Sequence, residues 1–117
     1  AKNGGDEVVL WGDGTQTREL IFIDDAVDII LQSMSPKTPK IINLSSGKPY
    51  KLKEYAQTIC DIVDYDYNLI KWDTDAFVGS KNKKLINTHL KGYKFTSLKK
   101  GLTKTIKYYE DSISSSK

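Results

Sequence analysis

Cysteine and histidine each occur once, as Cys60 and His89. A lone cysteine excludes an intramolecular disulfide and is at home in a reducing cytosol. Neither residue has ligand spacing around it, which argues against a metal site. No apolar run approaches the roughly 18 residues that span a bilayer. The opening stretch "AKNGGDEVV" is too polar for a secretory leader, and it starts without methionine, as expected of a segment cut from a longer chain. No nucleophile elbow is present. Internal repeats and long linkers are also missing, so the 117 residues read as one domain, or a portion of a larger one. Apolar residues make up 38% of the chain, low for a self-sufficient core. These absences leave a soluble, cytoplasmic chain without membrane or metal. A net charge of +3 suits an anionic ligand as readily as a nucleic acid.

What is there reads as an α/β pattern. "EVVLWG" is a short β-rich run closed by the turn signal Gly12-Asp-Gly14, and "RELIFI" follows it, so the two runs predict a β-hairpin. Asp24 and Asp25 then sit where carboxylates cap a helix and favour the positive end of its dipole. Its apolar face would be Ala26, Val27, Ile29, Ile30, Leu31 and Met34, and "SPKTPK" ends it. "KIINLSSG" is the most β-like run, and three consecutive apolar residues fit a strand buried on both faces. "LKEYAQTICDIVDY" has Leu52, Tyr55, Ala56, Ile59, Ile62 and Val63 at helical spacing. "NLIKW" predicts a further strand, Asp73 to Lys83 a polar loop, and "KLINTHL" a short ambiguous piece. Ser97 is placed to cap a helix from Leu98 to about Ser112, with Leu98, Leu102, Ile106 and Tyr109 on one face and the "SISSSK" tail frayed.

The glycines of "GDGTQT" lack the third glycine of a dinucleotide fingerprint and do not stand between a strand and a helix. They make a turn, not a phosphate cradle. Arg18 is the unexplained residue, since a hairpin needs glycines and apolar residues but no guanidinium. On the residues alone it is a surface arginine paired with Glu19 or Asp13.

Three stretches in order, "VVLWGDGTQTRELIFIDDAVDIIL", "INLSSGKPYKLKEYAQTICDIV" and "KKLIN…KGYKFTSLKKGLTKTIKYY", are together similar to the C-terminal third of the extended short-chain dehydrogenase/reductases. These are the NAD(P)-dependent nucleotide-sugar epimerases, dehydratases and reductases, and the pattern most resembles the GDP-L-fucose synthases among them. The resemblance covers nearly the whole chain. It implies the C-terminal substrate-binding portion of a Rossmann-type fold over residues 1–117, with residues 41–44 an edge strand of a dinucleotide-binding sheet that lies in the N-terminal half.

The resemblance gives Arg18 a role, because the family's matching arginine reaches the nucleotide diphosphate. A guanidinium fork matches phosphate oxygens bidentately. Trp11 falls at a substrate-contacting position, against the alternative of packing within the turn, and Leu10 would extend the same wall. "KKLIN" matches a family segment whose lysine also meets the diphosphate, which maps to Lys84 with Lys83 before it. The alternative for Lys84 is a solvated run, "KNKK". Asn87 stands where the family usually has aspartate, and the segment from Asn87 to Gly92 is shortened, so a helix there should lose nearly a turn. The family's glycine-rich loop, its active-site Ser/Thr and its Tyr-x-x-x-Lys pair lie upstream of the matching region. Tyr50 and Lys53 are three apart and out of order. The chain alone is therefore expected to hold no catalytic residue and no cofactor, and to be inactive. NAD or NADP would serve the parent enzyme, whose partners would be a nucleotide diphosphate sugar, the dinucleotide-binding half, and, as in many family members, a second copy. The alternative from another class is a free-standing basic module for RNA or another polyanion, suggested by the lysines of the last helix with Tyr93, Phe95, Tyr108 and Tyr109.

Overall fold

The computed structural model describes residues 7–115. The described residues form two small two-stranded sheets and three helices: β1 (Val9–Trp11), β2 (Thr17–Arg18), α1 (Ile23–Gln32), β3 (Tyr50–Lys51), α2 (Leu52–Val63), β4 (Lys71–Asp73) and α3 (Leu98–Ser115). Single 3-10 turns stand at Tyr67–Leu69 and Thr88–Leu90, the latter in the shortened segment after Asn87.

The strands on either side of the glycine turn do not pair with each other, contrary to the hairpin expectation. β1 runs parallel to β4, with Leu10 opposite Trp72, and β2 runs antiparallel to β3, with Arg18 opposite Tyr50. The turn explains the divergence. Gln16 is buried, and its side-chain amide donates to Trp11 O at 3.2 Å, filling the space a strand partner would need. Its own carbonyl accepts from Leu52 N, and Gly14 O accepts from Lys53 N, so the chain leaving the turn is committed to the start of α2. Gly12 and Gly14 have φ of 91° and 79°, the left-handed region that glycine enters without strain. A Cβ at Gly14 would lie 2.8 Å from the Trp72 ring. Close packing fixes that position as firmly as backbone shape does.

α1 begins after Phe22 with no side-chain cap. The expected capping by Asp24 and Asp25 is thus corrected. Asp25 is buried instead, and its two oxygens accept from Thr96 N at 2.8 Å and Thr96 Oγ1 at 2.9 Å. One turn along the helix, Asp28 accepts from the Tyr93 hydroxyl at 2.7 Å. These two carboxylates fasten the 93–97 loop to α1, while Asp24 remains to favour the helix dipole. Asp25, Ala26 and Ile29 form the inward face of α1, whereas Ile23, Val27, Ile30 and Leu31, expected on the apolar face or beside it, form an exposed stripe, and Met34 lies exposed beyond the helix end.

α2 follows its predicted span closely. Glu54 accepts from Lys51 N at 2.7 Å at its start, and Asp64 ends it in the left-handed region with its N–H on Cys60 O. Tyr55, Ala56 and Cys60 point inward and join Ala26 and Ile29 in a small core. Burial pushes the Cys60 thiol up, so it is an unreactive core residue. α3 is capped by Ser97, whose Oγ accepts from Lys100 N at 3.3 Å. It runs to Ser115, past the expected fraying point, because nothing before that residue breaks it. Tyr109, assigned to its apolar face, is 64% exposed. Gly101 is buried at the crossing with Phe22.

The Ile41–Leu44 run forms no ladder among the described residues. Ile41 is 84% exposed, and Asn43 Nδ2 donates to Ile86 O at 2.7 Å.

Candidate functional site

Arg18 leaves β2 half-buried, and its guanidinium donates to Thr17 O at 2.7 Å and to Val78 O at 3.1 Å. Neither Glu19 nor Asp13 partners it, so the surface ion pair suggested by the residues alone is absent. Asp13 instead accepts from Thr15 N and Oγ1 within the turn, and the Thr15 hydroxyl bond holds its carboxyl below the usual range. Both acceptors of Arg18 are neutral carbonyls. Its full positive charge is therefore positioned but not neutralised.

Arg18 borders two cavities. The first, about 370 Å³, is bordered by Leu10, Trp11, Arg18, Tyr55, Trp72 and Phe77. Trp11 and Phe77 are 63% and 85% exposed, so their rings offer flat apolar surface at the mouth. Tyr55 closes the floor with its hydroxyl on Arg18 O at 2.7 Å, and burial raises that phenol above its ordinary value. The second cavity, about 490 Å³, is bordered by Arg18, Glu19, Ser45, Asn82, Lys83 and Lys84. The first cavity is walled by aromatic rings, and the second carries Lys83 and Lys84 beside the apolar Leu20, Ile21, Leu44 and Leu85.

The segment bearing the two lysines is held against β2 by its backbone. Thr17 N donates to Lys81 O at 2.8 Å, Lys83 N to Thr17 O at 3.3 Å, and Thr17 Oγ1 to Asn82 Oδ1 at 3.0 Å. Leu85 N donates to Glu19 Oε2 at 3.2 Å, and Ser45 Oγ to the same oxygen at 2.6 Å. Asn87 Nδ2 then reaches Ser45 O at 3.1 Å. Asparagine at this position thus supplies a donor that an ionised aspartate would lack.

The four residues singled out from sequence fall in two groups: Leu10 and Trp11 border the aromatic cavity, Lys84 borders the basic one, and Arg18 belongs to both. Sequence reasoning missed Phe77, Tyr55, Trp72 and Glu19. Phe77 was legible as the one aromatic residue in an otherwise polar loop. Tyr55 and Trp72 were read only as parts of a helix and a strand, and Glu19 only as a partner for its neighbour.

The glycine turn does not form a dinucleotide cradle. The Val78 and Gln16 side chains fill the space beside Gly12, and Trp72 and Lys53 that beside Gly14. Among the described residues no group of three or more His, Cys, Asp or Glu could hold a metal ion. No described helix is long and apolar enough to cross a membrane. A third cavity, about 350 Å³, lies between α1 and α3 and is bordered by Phe22, Asp25, Phe95 and Leu102.

The NAD dependent epimerase/dehydratase family matches residues 1–45. The chain is 31% identical over 113 residues to the GDP-L-colitose synthase of Yersinia pseudotuberculosis, covering 92% of this chain and 36% of that protein. It is also 31% identical over 115 residues to the putative GDP-L-fucose synthase 2 of Arabidopsis thaliana, covering 95% and 35%. A GDP-L-fucose synthetase from Naegleria fowleri, solved bound to NADP, superposes with a TM-score of 0.81 at 21% identity, over 91% of this chain and 35% of that one. The chain spans about a third of the length of the relatives it matches. With its α/β architecture, it belongs to the NAD dependent epimerase/dehydratase family, corresponding to the C-terminal part of the extended short-chain dehydrogenase/reductase fold.

Proposed function

We propose that the chain is the nucleotide-sugar-binding part of an NAD(P)-dependent epimerase, reductase or dehydratase of the GDP-L-fucose synthase kind. The observation that carries this reading is Arg18, which borders both an aromatic cavity and the one that bears Lys83 and Lys84, and whose guanidinium donates to neutral carbonyls. A nucleoside diphosphate has the same order of parts: a flat base, then a doubly charged linker. The base stacks at Trp11 and Phe77 along the wall begun by Leu10. Arg18 takes the diphosphate bidentately, and Lys84 supplies the second cation, so that most of the linker's charge is balanced. The names of the relatives, both GDP-sugar synthases, agree with that chemistry.

NAD or NADP belongs, in this reading, to the rest of the parent enzyme, since the glycine turn here is packed by side chains. When bound there, the cofactor supplies the hydride chemistry. This chain's residues bind and orient the substrate, and alone they are inactive. The extended run Ile41–Leu44 is the edge strand of that half's sheet, and the bare stripe of α1 packs beside it.

Calorimetric titration with GDP, UDP, dTDP and CDP tests the proposal and names the base. Saturable binding of one nucleotide, lost in Arg18→Ala, is expected. Equal binding by Arg18→Ala would remove Arg18 from the site. Tighter binding of single-stranded RNA than of any nucleoside diphosphate would favour the polyanion module instead.

A further inference from the structure

We propose that Glu19 is the positioning residue of the basic cavity, holding the backbone that presents Lys84 toward the anion. The inference rests on the reading of Arg18 and Lys84 as anion ligands, and it concerns a residue that touches no anion itself. Arg18 closes β2 and Glu19 follows it, and the two side chains take different partners. Arg18 turns to Val78 O, whereas Glu19 Oε2 takes Ser45 Oγ at 2.6 Å and Leu85 N at 3.2 Å. One carboxylate oxygen thereby ties β2 to the Ser45 turn and to the lysine segment.

Lys84 lies between the two anchors of that segment. Before it, Lys83 N is on Thr17 O, and after it Leu85 N is on Glu19. The first anchor is ordinary backbone pairing, which any residue at position 17 would provide. The second depends on the side chain at position 19. Glu19 Oε1 is buried and has no hydrogen-bond partner. Both protein donors thus use one oxygen, and in Glu19→Gln the amide oxygen, set at the place of Oε2, would keep them. Alanine would free Leu85 N and loosen the chain after Lys83, whose own bond to Thr17 O remains. Losing the Glu19 acceptor leaves the Leu85 N–H without its partner, so the loss should be measurable.

The test compares the full chain with Glu19→Ala, Glu19→Gln, Lys84→Ala and the Glu19→Ala/Lys84→Ala double variant. The readouts are GDP affinity, guanosine affinity and the hydrogen-exchange rate of the Leu85 amide. Glu19→Ala should weaken GDP about 10-fold, the effect of losing one hydrogen bond, and leave guanosine unchanged. Glu19→Gln should restore most of that loss. The double variant should bind GDP no worse than Lys84→Ala, since Glu19 acts through that lysine. Additive losses, or an equal fall in guanosine binding, would overturn the proposal. If the unmodified chain fails to bind GDP, the anion reading itself falls. The clamp is then judged on exchange alone: faster exchange at Leu85 in Glu19→Ala upholds it, and an unchanged rate overturns it.

Discussion

At the residue scale, the carboxylates of α1 show how one side chain can satisfy a sequence rule and still do something else. Asp24 and Asp25 fit the N-terminal preference for acids, yet Asp25 serves as the joint to Thr96. Removing it leaves the part-buried Thr96 N–H without its acceptor, so Asp25→Ala should destabilise the fold by about 2 kcal/mol. Asp24→Ala, on the exposed side, should cost under about 1 kcal/mol. Urea unfolding of the two variants checks the contrast, and equal losses would refute the joint. The Asp28–Tyr93 bond makes a pH prediction. The Asp28 carboxylate holds the Tyr93 proton and pushes its pKa up to about 12, while the same bond, with one from Gln32, lowers Asp28. A raised tyrosine contributes stability that is complete below its unfolded value near 10 and is lost as pH rises through about 12. A lowered aspartate contributes stability above its unfolded value of 3.8 that is lost as pH falls through its folded one. Tyr93→Phe should therefore flatten the alkaline limb of the stability profile. Titration of tyrosine absorbance should show Tyr93 and the buried Tyr55 ionising late.

At the element scale, the glycine turn separates backbone strain from packing. Gly14 and Gly79 both have positive φ, but a Cβ at Gly14 meets the Trp72 ring at 2.8 Å while one at Gly79 meets nothing within 4 Å. Gly79→Ala should cost about 1 kcal/mol of strain. Gly14→Ala adds a clash and should cost about 3 kcal/mol. Thermal melts of both decide whether packing matters here. The same turn marks where the sequence was legible and where it was not. Helical periodicity located α2 and the start of α3 closely, because a repeating apolar face is a local property. Strand pairing is not local: β1 finds β4 across most of the chain, and nothing in "EVVLWG" names its partner. The buried Gln16 that diverts β2 toward β3 looks, in sequence, like any polar turn residue. Arg18 was legible as a cation without a structural purpose, and Lys84 through its matching segment. Phe77 stood out only as the one aromatic residue of its loop, and Glu19 not at all, since their meaning depends on that loop folding back beside β2.

At the scale of the whole molecule, the chain is flatter and looser than a self-sufficient domain. Its radius of gyration is 16.9 Å with extents of 52 × 37 × 20 Å, against roughly 13 Å for a compact domain of this length. Among the described residues no large side chain is fully buried, while Ile30, Leu31, Met34 and Ile41 lie open. Apolar surface of that kind drives association. The chain by itself should self-associate, and Ile30→Glu with Leu31→Glu should shift it toward monomer in sedimentation velocity runs. A monodisperse monomer without those changes would contradict the proposed packing against the rest of a parent enzyme.

If Arg18 joins the two cavities into one nucleoside-diphosphate site, amide-resolved NMR during a GDP titration will show it. The Trp11 indole and Phe77 beside one cavity, and Lys83, Lys84 and Leu85 beside the other, should shift together and saturate at the same concentration, with both sets silent in Arg18→Ala. Shifts confined to one side, or surviving in Arg18→Ala, would contradict it.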